Sequence, residues 1–433
     1  MAAHTGGAVK KIKSKARWWI LAYLVSPLSL AAQADSRLAI THITVIDCTG
    51  AAPKPNSTVL VANGRIVSVT ASDSRPIAAG TRVIDGTGKF LIPGLWDMHG
   101  HLTDATADAF PLLIMNGVTG VRDVGGDLTQ IDRWRAEIES GSRVGPHIFR
   151  AGPFVDGPKP TARNRLTVRT PDEARQAVHQ LKAKGVDFIK VHNKLTRESF
   201  FALMNEARKE RVPVAVHLPQ GVSSAEASDS GAASLEHIEM INESAILRPG
   251  ATAKTVMEAV DENLGPAGQA LFERFAKNGT YYDPTLVAYE RGFVLWSNKP
   301  EALKPRLEVH LKQVEQVAMM HRAGVQILAG TDFTDWGQVP GIDLHNELAL
   351  FVEAGFTPLE ALQTATVNPA KLLGRAETFG TIQPGRVADM VILNMNPIED
   401  ISHTRKINAV VLRGRYFPVS ALMANALNNA AAQ

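Results

Sequence analysis

Leu91-Ile92-Pro93-Gly94-Leu95-Trp96-Asp97-Met98-His99-Gly100-His101 is the stretch whose reading decides the fold. An apolar run leaves a Pro-Gly corner and ends in two histidines separated by one glycine. In an extended strand, residues i and i+2 point to the same side, so His99 and His101 can converge on one ion. Gly100 adds no side chain and tolerates the bend that this needs. Neutral imidazole is a good ligand for zinc and similar divalent metals. A His-x-His pair acquires that meaning only if further ligands lie at other strand ends.

The chain on the carboxyl side alternates between strand-like and helix-like segments. The strand-like ones are Val118 to Val124, His147 to Gly152, Asp187 to Val191, Val214 to His217, Ser234 to His237, Tyr281 to Leu286 and Val325 to Asp332. The helix-like ones include Asp104 to Met115, Leu128 to Ser140, the segment opened by Thr170-Pro171, Ser199 to Arg211 and Pro300 to Ala323. A Thr cap followed by Pro in the first turn is a strong helix start. With the stretch ending at His101, these make eight strands, most of them followed by a helix, which predicts a (β/α)8 TIM barrel over residues 91–378. A doubly wound open sheet is the competing architecture. No Gly-x-Gly-x-x-Gly follows an early strand to favour a dinucleotide fold.

Both flanks are β-like. Ala39 to Ile46, Ser57 to Val61 and Arg65 to Val69 are rich in β-branched residues, with the tight-turn pair Asn63-Gly64 between the last two. Beyond Gly380, Gly385 to Leu393 and Ala409 to Gly414 resume the pattern. The flanks, 35–90 and 379–418, are expected to pair into one small β-sandwich beside the barrel. The tail is 419–433, and its last part, Asn425 to Gln433, is small and polar.

The first residues differ from the rest. Lys10, Lys11, Lys13, Lys15 and Arg17 precede the apolar run Trp18 to Leu30, which leads to Ala32-Gln33-Ala34. This is the order of a secretory signal peptide, residues 1–34, with cleavage after Ala34. The apolar core contains Pro27 and is short of the roughly 20 residues that a spanning helix needs, although an uncleaved anchor is the other reading. The expected compartment is therefore periplasmic or secreted, without stable membrane insertion after cleavage. The whole chain carries a net charge of +3, and without those five basic residues the remainder carries −2. The basicity belongs to the export signal and gives no support to nucleic-acid binding.

Cys48 is the only cysteine in 433 residues. An intramolecular disulfide and a cysteine-based metal site are both excluded. Metal ligands must then be His, carboxylate or modified lysine.

Reactive groups of such a barrel lie at the carboxyl ends of its strands. The predicted strands end at His99 and His101, near Lys190, at His217, at His237 and at Asp332. Lys190 is the unusual member. An ammonium following Phe188-Ile189 on a buried strand is costly unless it is paired or neutralised. It makes sense if the amine becomes an anionic oxygen ligand or pairs with a carboxylate.

At this point the sequence resembles the amidohydrolase superfamily, in the branch of imidazolonepropionase-like and prolidase-like metal-dependent hydrolases. Further stretches carry the likeness, among them Leu235-Glu236-His237, Ala329-Gly330-Thr331-Asp332, Ala365-Thr366-Val367-Asn368-Pro369-Ala370 and Gly380-Thr381-Ile382-Gln383-Pro384-Gly385. The resemblance implies two divalent ions, usually zinc. His99, His101 and Asp332 would hold one ion, and His217 and His237 the second. Lys190, carboxylated by carbon dioxide, would bridge them. Two cations lower the pKa of a shared water, and Asp332 would take its proton and pass it to the leaving nitrogen.

The sequence departs from the pattern between Gly152 and Val168, which carries Pro158, Pro160, Arg163 and Arg165 instead of a glycine- and histidine-rich tract. The excursion from Ile241 to Gly279 is also unusual. Such loops form the mouth of the pocket. Tyr282, Tyr289, Arg163 and Arg165 are candidate substrate contacts, and His345 and Glu347 candidate supports of the ligands. His192 is read as packing and facing away from Lys190, and His147 as lying at the opposite end of the barrel.

The expected function is an exported, metallopeptidase-like amidohydrolase that opens a C–N amide bond in dipeptides or N-acyl amino acids. Cyclic amides, lactones or phosphotriesters are the alternative substrates, and a non-catalytic periplasmic metal- or ligand-binding protein the alternative of another class. A small-molecule or dipeptide-like substrate and a homo-oligomeric state are expected.

Overall fold

The apolar run that begins the decisive stretch is where two parts of the molecule meet. In this computed structural model, residues 37–158, 164–247, 253–295, 300–334 and 337–422 are described. Residues 35–433 cluster as one unit, while the expected signal, 1–34, and the end of the tail lie outside the described residues. No described helix is long and apolar enough to cross a membrane.

The amino-terminal flank supplies β1 (Leu38–Val45), β2 (Lys54–Ala62), β3 (Arg65–Ala71), β4 (Arg82–Asp85) and β5 (Phe90–Pro93). Asn63 (φ 51°) and Gly64 (φ 72°) turn the β2–β3 hairpin, the positive φ values that a two-residue turn of this kind requires. Next come β6 (Leu95–Gly100), β7 (Val118–Asp123), β8 (His147–Arg150), β9 (Phe154–Asp156), β10 (Arg165–Thr167), β11 (Ile189–Val191), β12 (Val214–Val216), β13 (Ser234–Glu236) and β14 (Tyr281–Asp283). The carboxyl-terminal flank supplies β15 (Met390–Leu393), β16 (Ile407–Leu412) and β17 (Arg415–Pro418).

The flanks form one continuous sheet of order β17-β16-β15-β5-β1-β2-β3, with β4 beside β1. β5 pairs parallel with β1 and antiparallel with β15 and so ties the two flanks together. Leu38, Ile40, Val59 and Ile66 from one half share a core with Met390, Ile392 and Val411 from the other.

The central strands are parallel: β6-β7-β8 in one sheet and β10-β9-β11-β12-β13-β14 in another. Their edges are joined by backbone hydrogen bonds. Asp187 N–H donates to Arg150 O at 2.9 Å, which links β8 to the segment leading into β11. The expected eighth strand contributes isolated bridges rather than a regular strand. Tyr282 N–H donates to Gln326 O, Met98 N–H to Ala329 O and His101 N–H to Phe333 O. The segment Gln326 to Phe333 therefore lies between β14 and β6. The parallel strands and this intervening segment make a TIM-barrel-like α/β fold.

Helices cover the outside. Thr170 accepts from Glu173 N–H and caps the helix Pro171–Ala183, as its sequence anticipates. The single helix expected from Asp104 to Met115 is two, Leu102–Ala105 and Ala109–Met115, parted at Thr106 with φ 65°. Gly152 to Val168 contains β9 and β10, which the proline and arginine content of that stretch had concealed.

Candidate metal centre

The ends of β6, β11, β12 and β13 and the segment after Ala329 place the six predicted residues around one another. His101 Nε2 is 3.1 Å and His99 Nε2 3.6 Å from Asp332 Oδ1. Ligand-type atoms of His99, His101 and Asp332 all lie within 4.8 Å of one another. The His237 ring centroid is 4.5 Å from that of His99 and 5.0 Å from that of His217. Asp332 (φ 53°) and His237 (φ 67°) both sit in the left-handed backbone region, which re-aims their side chains as the strands end.

The protonation states suit cations. Burial, together with the neighbouring charge of Lys190 or other histidines, pushes His99, His217 and His237 well below the ordinary histidine value, so they are neutral. Burial would lower His101 as well, but the adjacent Asp332 carboxylate outweighs it and raises it. Lys190 is 1% exposed, and its Nζ has no hydrogen-bond partner. Burial, assisted by Arg122, brings the amine down to about 8. Lys190 is thus a buried amine without a hydrogen-bond partner, under the charges of Glu236, Asp332 and Asp283 as well as Arg122, and such a group is compatible with a place among metal ligands once its charge is removed.

Several residues that hold this arrangement were not anticipated. Glu236 Oε2 lies 2.8 Å from His99 Nδ1, the carboxylate–histidine arrangement that orients metal ligands. Arg122, 2% exposed on β7, donates to Glu236 Oε2 at 2.7 Å, Asp283 Oδ2 at 3.2 Å, Ser234 Oγ at 2.7 Å and Met98 O at 2.5 Å. Burial would raise Glu236, but Arg122 and Lys190 hold it below its usual value; burial and then Glu236 push Asp283 well above its own. Thr285 Oγ1 lies 2.9 Å from His237 Nδ1, fixing which ring nitrogen remains available. Asp97 accepts from the backbone of His99 and from both Thr331 N–H and Thr331 Oγ–H, and so ties β6 to the Asp332 segment. A charged residue inside an apolar strand was the available signal for Arg122 and Glu236, the same signal that marked Lys190.

The secondary candidates divide. His192 is in the site: its ring stacks on His217 at 4.3 Å and 22°, and its Nδ1 is 3.5 Å from Asp156. The expectation that it faces away fails because residues i and i+2 of a strand share a side. Glu347 instead accepts from Leu286 N–H and Val287 N–H, and His345 pairs with Thr404, so neither touches the ligands. Tyr282 is buried and donates to His237 O at 2.8 Å, and Tyr289 stacks on His310. Arg165 pairs with Asp156 and lies over Phe154, whose ring is 5.5 Å from that of His101. Arg163 lies outside the described residues. His147 starts β8 against Asp389 of the flanking sheet, at 2.8 Å, far from the ligand ends.

Several known proteins are similar to this chain. Ochratoxinase of Aspergillus niger is 24% identical over 454 aligned positions, covering 89% of this chain and 87% of that protein. An imidazolonepropionase of Geobacillus kaustophilus is 39% identical, but only over 74 residues, 17% of each chain. Among solved structures, a Xaa-Pro dipeptidase with bound methionine in its active site superposes with a TM-score of 0.69 at 25% identity, covering 88% of this chain and all of that one. A proposed prolidase from Bifidobacterium longum gives 0.70 at 27% identity, covering 91% and 100%. The profile of the amidohydrolase family matches residues 90–416, and the chain belongs to that family.

Proposed function

We propose that this amidohydrolase is an exported hydrolase using two divalent ions, zinc first among them, to cleave a C–N amide bond in dipeptides or N-acyl amino acids. The convergence of His99, His101 and Asp332 beside the unpartnered amine of Lys190 carries the reading. The similarity to a Xaa-Pro dipeptidase and to ochratoxinase supports the substrate class. The basic, apolar, small order of residues 10–34 supports export. The hydrogen bonds that the segment Gln326 to Phe333 makes with β14 on one side and β6 on the other support a closed eight-stranded barrel over 91–378, with 35–90 and 379–418 forming the attached sheet.

His99, His101 and Asp332 would hold one ion, His217 and His237 the other, and Lys190 would bridge them. When bound, the ions supply Lewis-acid polarisation of the scissile carbonyl and lower the pKa of the attacking water. Once deprotonated, the Lys190 nitrogen could add carbon dioxide and lose its second proton to solvent, and the resulting carbamate would offer anionic oxygen where an ammonium would repel cations. Asp332, with 27% of its side chain exposed, faces both solvent and His101 and can accept the water proton. It then delivers that proton to the departing nitrogen. Glu236 and Thr285 keep His99 and His237 oriented throughout.

The test is metal content per chain together with turnover of dipeptides, N-acyl amino acids, cyclic amides, lactones and phosphotriesters, for the parent and Asp332→Asn. The expected result is two equivalents of metal, amide turnover in the parent and loss of turnover in the variant. Turnover confined to lactones or phosphotriesters would overturn the substrate class, and the absence of bound metal would overturn the mechanism.

A further inference from the structure

A second concave site lies away from the six ligand candidates. It is a cleft of about 470 Å³ beside His147, the first residue of β8, bounded by the helix Leu128–Glu139 and the flanking sheet. That volume is within the range of small-molecule sites. Arg65, Arg135, Arg375 and Arg413 line it, and Glu139 is the only acid among its described lining residues, an excess of three positive charges.

The arginines are poorly compensated. Arg65 Nη1 donates to Gly385 O at 2.8 Å, and Arg413 Nη1 to Gly145 O at 3.1 Å. Arg375 lies over the Phe149 ring at 5.9 Å. These three contacts engage a carbonyl or a ring, not a carboxylate. Arg135 has carboxylates of Asp132 and Asp187 only at 3.8 Å. Arg65 and Arg375 are exposed and Arg135 and Arg413 half-buried, and each guanidinium has five N–H donors, more than these contacts occupy, so a ligand could take the place of water on them. Burial of Arg413 disfavours its cation, and Asp389 and Glu139 offset this only in part. Like charges gathered in a concavity call for a counter-charge, and arginine forks match phosphate and carboxylate oxygens. Phe149 and Phe379 supply apolar walls for the rest of a ligand.

We propose that this cleft binds a small molecule carrying at least two anionic charges on phosphate or carboxylate groups, at a site separate from the metal centre. The test is calorimetric titration of the full chain with pyrophosphate and with tricarballylate, for the parent, Arg65→Gln, Arg375→Gln and Arg375→Lys. Saturable binding should weaken about tenfold or more in each Gln variant, the loss expected for one charged hydrogen bond. Arg375→Lys should retain part of it, and turnover and unfolding midpoint without ligand should stay at parent values. The better-bound probe identifies phosphate or carboxylate as the recognised group. Absence of saturable binding in the millimolar range for both probes would overturn the proposal. So would binding that the Gln variants leave unchanged, which would place the anion at the metal centre instead.

Discussion

Replacing Arg122 with methionine tests whether the metal centre is held from beneath by a buried ionic network. The guanidinium is 2% exposed and bonds two carboxylates, Glu236 and Asp283, that are both 0% exposed. Methionine fills much of the volume but leaves both acids without their cation. Removing one partner of a buried ion pair costs about 3–5 kcal/mol. Lys190 still acts on Glu236, and Asp283 is already favoured in its neutral form, so the lower end, about 3 kcal/mol, is expected. A second effect follows through Glu236, which orients His99 at 2.8 Å. Loss of such an orienting contact typically weakens metal binding about 10–100-fold. Urea unfolding in excess chelator measures the first quantity without metal linkage, and zinc competition against a fluorescent chelator measures the second. Arg122→Lys should fall between, since one ammonium cannot span Met98 O, Ser234, Glu236 and Asp283 together. If Arg122→Met loses less than about 1 kcal/mol and binds zinc as the parent does, the reasoning is refuted.

Two further outcomes are expected. Gly330→Ala would place a Cβ 2.5 Å from both Asp283 carboxylate oxygens and 2.6 Å from His99 Cβ, so it should cost about 1–3 kcal/mol by urea unfolding and also reduce turnover; a fully active variant of parental stability would contradict the packing described. Glu226, hydrogen-bonded first of all to Arg197 and also capping at Ser223, is held down to about 2. A depressed carboxyl stabilises the fold above its unfolded value, and that stabilisation is lost as pH falls from about 4.5 toward 2. The side chain is 38% exposed, so after screening the contribution is about 1 kcal/mol. Glu226→Gln should flatten the fall in unfolding midpoint over that window, and an unchanged pH profile would contradict it.

Much of the site was legible because strand chemistry is local. His99-Gly100-His101 and Lys190 stand out by residue type and by a spacing of two along predicted strands, and barrel logic points to their ends. The hairpin at Asn63-Gly64 and the cap at Thr170 are equally local, each set by the backbone preference of one or two residues. The short strands β9 and β10 were hidden because prolines and arginines interrupt their stretch, whereas the equally short β11 and β12 sit in apolar runs.

The supporting residues belong to the tertiary structure. Arg122 and Glu236 are 114 positions apart, and His99 and Glu236 are 137 apart. Nothing in either local sequence records which charge meets which. The joining of the flanks into a single sheet was likewise decided by β5, which reaches β1 on one side and β15, some 300 residues on, at its other edge. Sequence alone determined the alternation of strands and helices and the identity of the candidate ligands, because periodicity and side-chain chemistry are properties of short segments. Only the folded chain decided how those ligands are oriented, since a buried charge takes its partner from whatever the packing brings within hydrogen-bond reach.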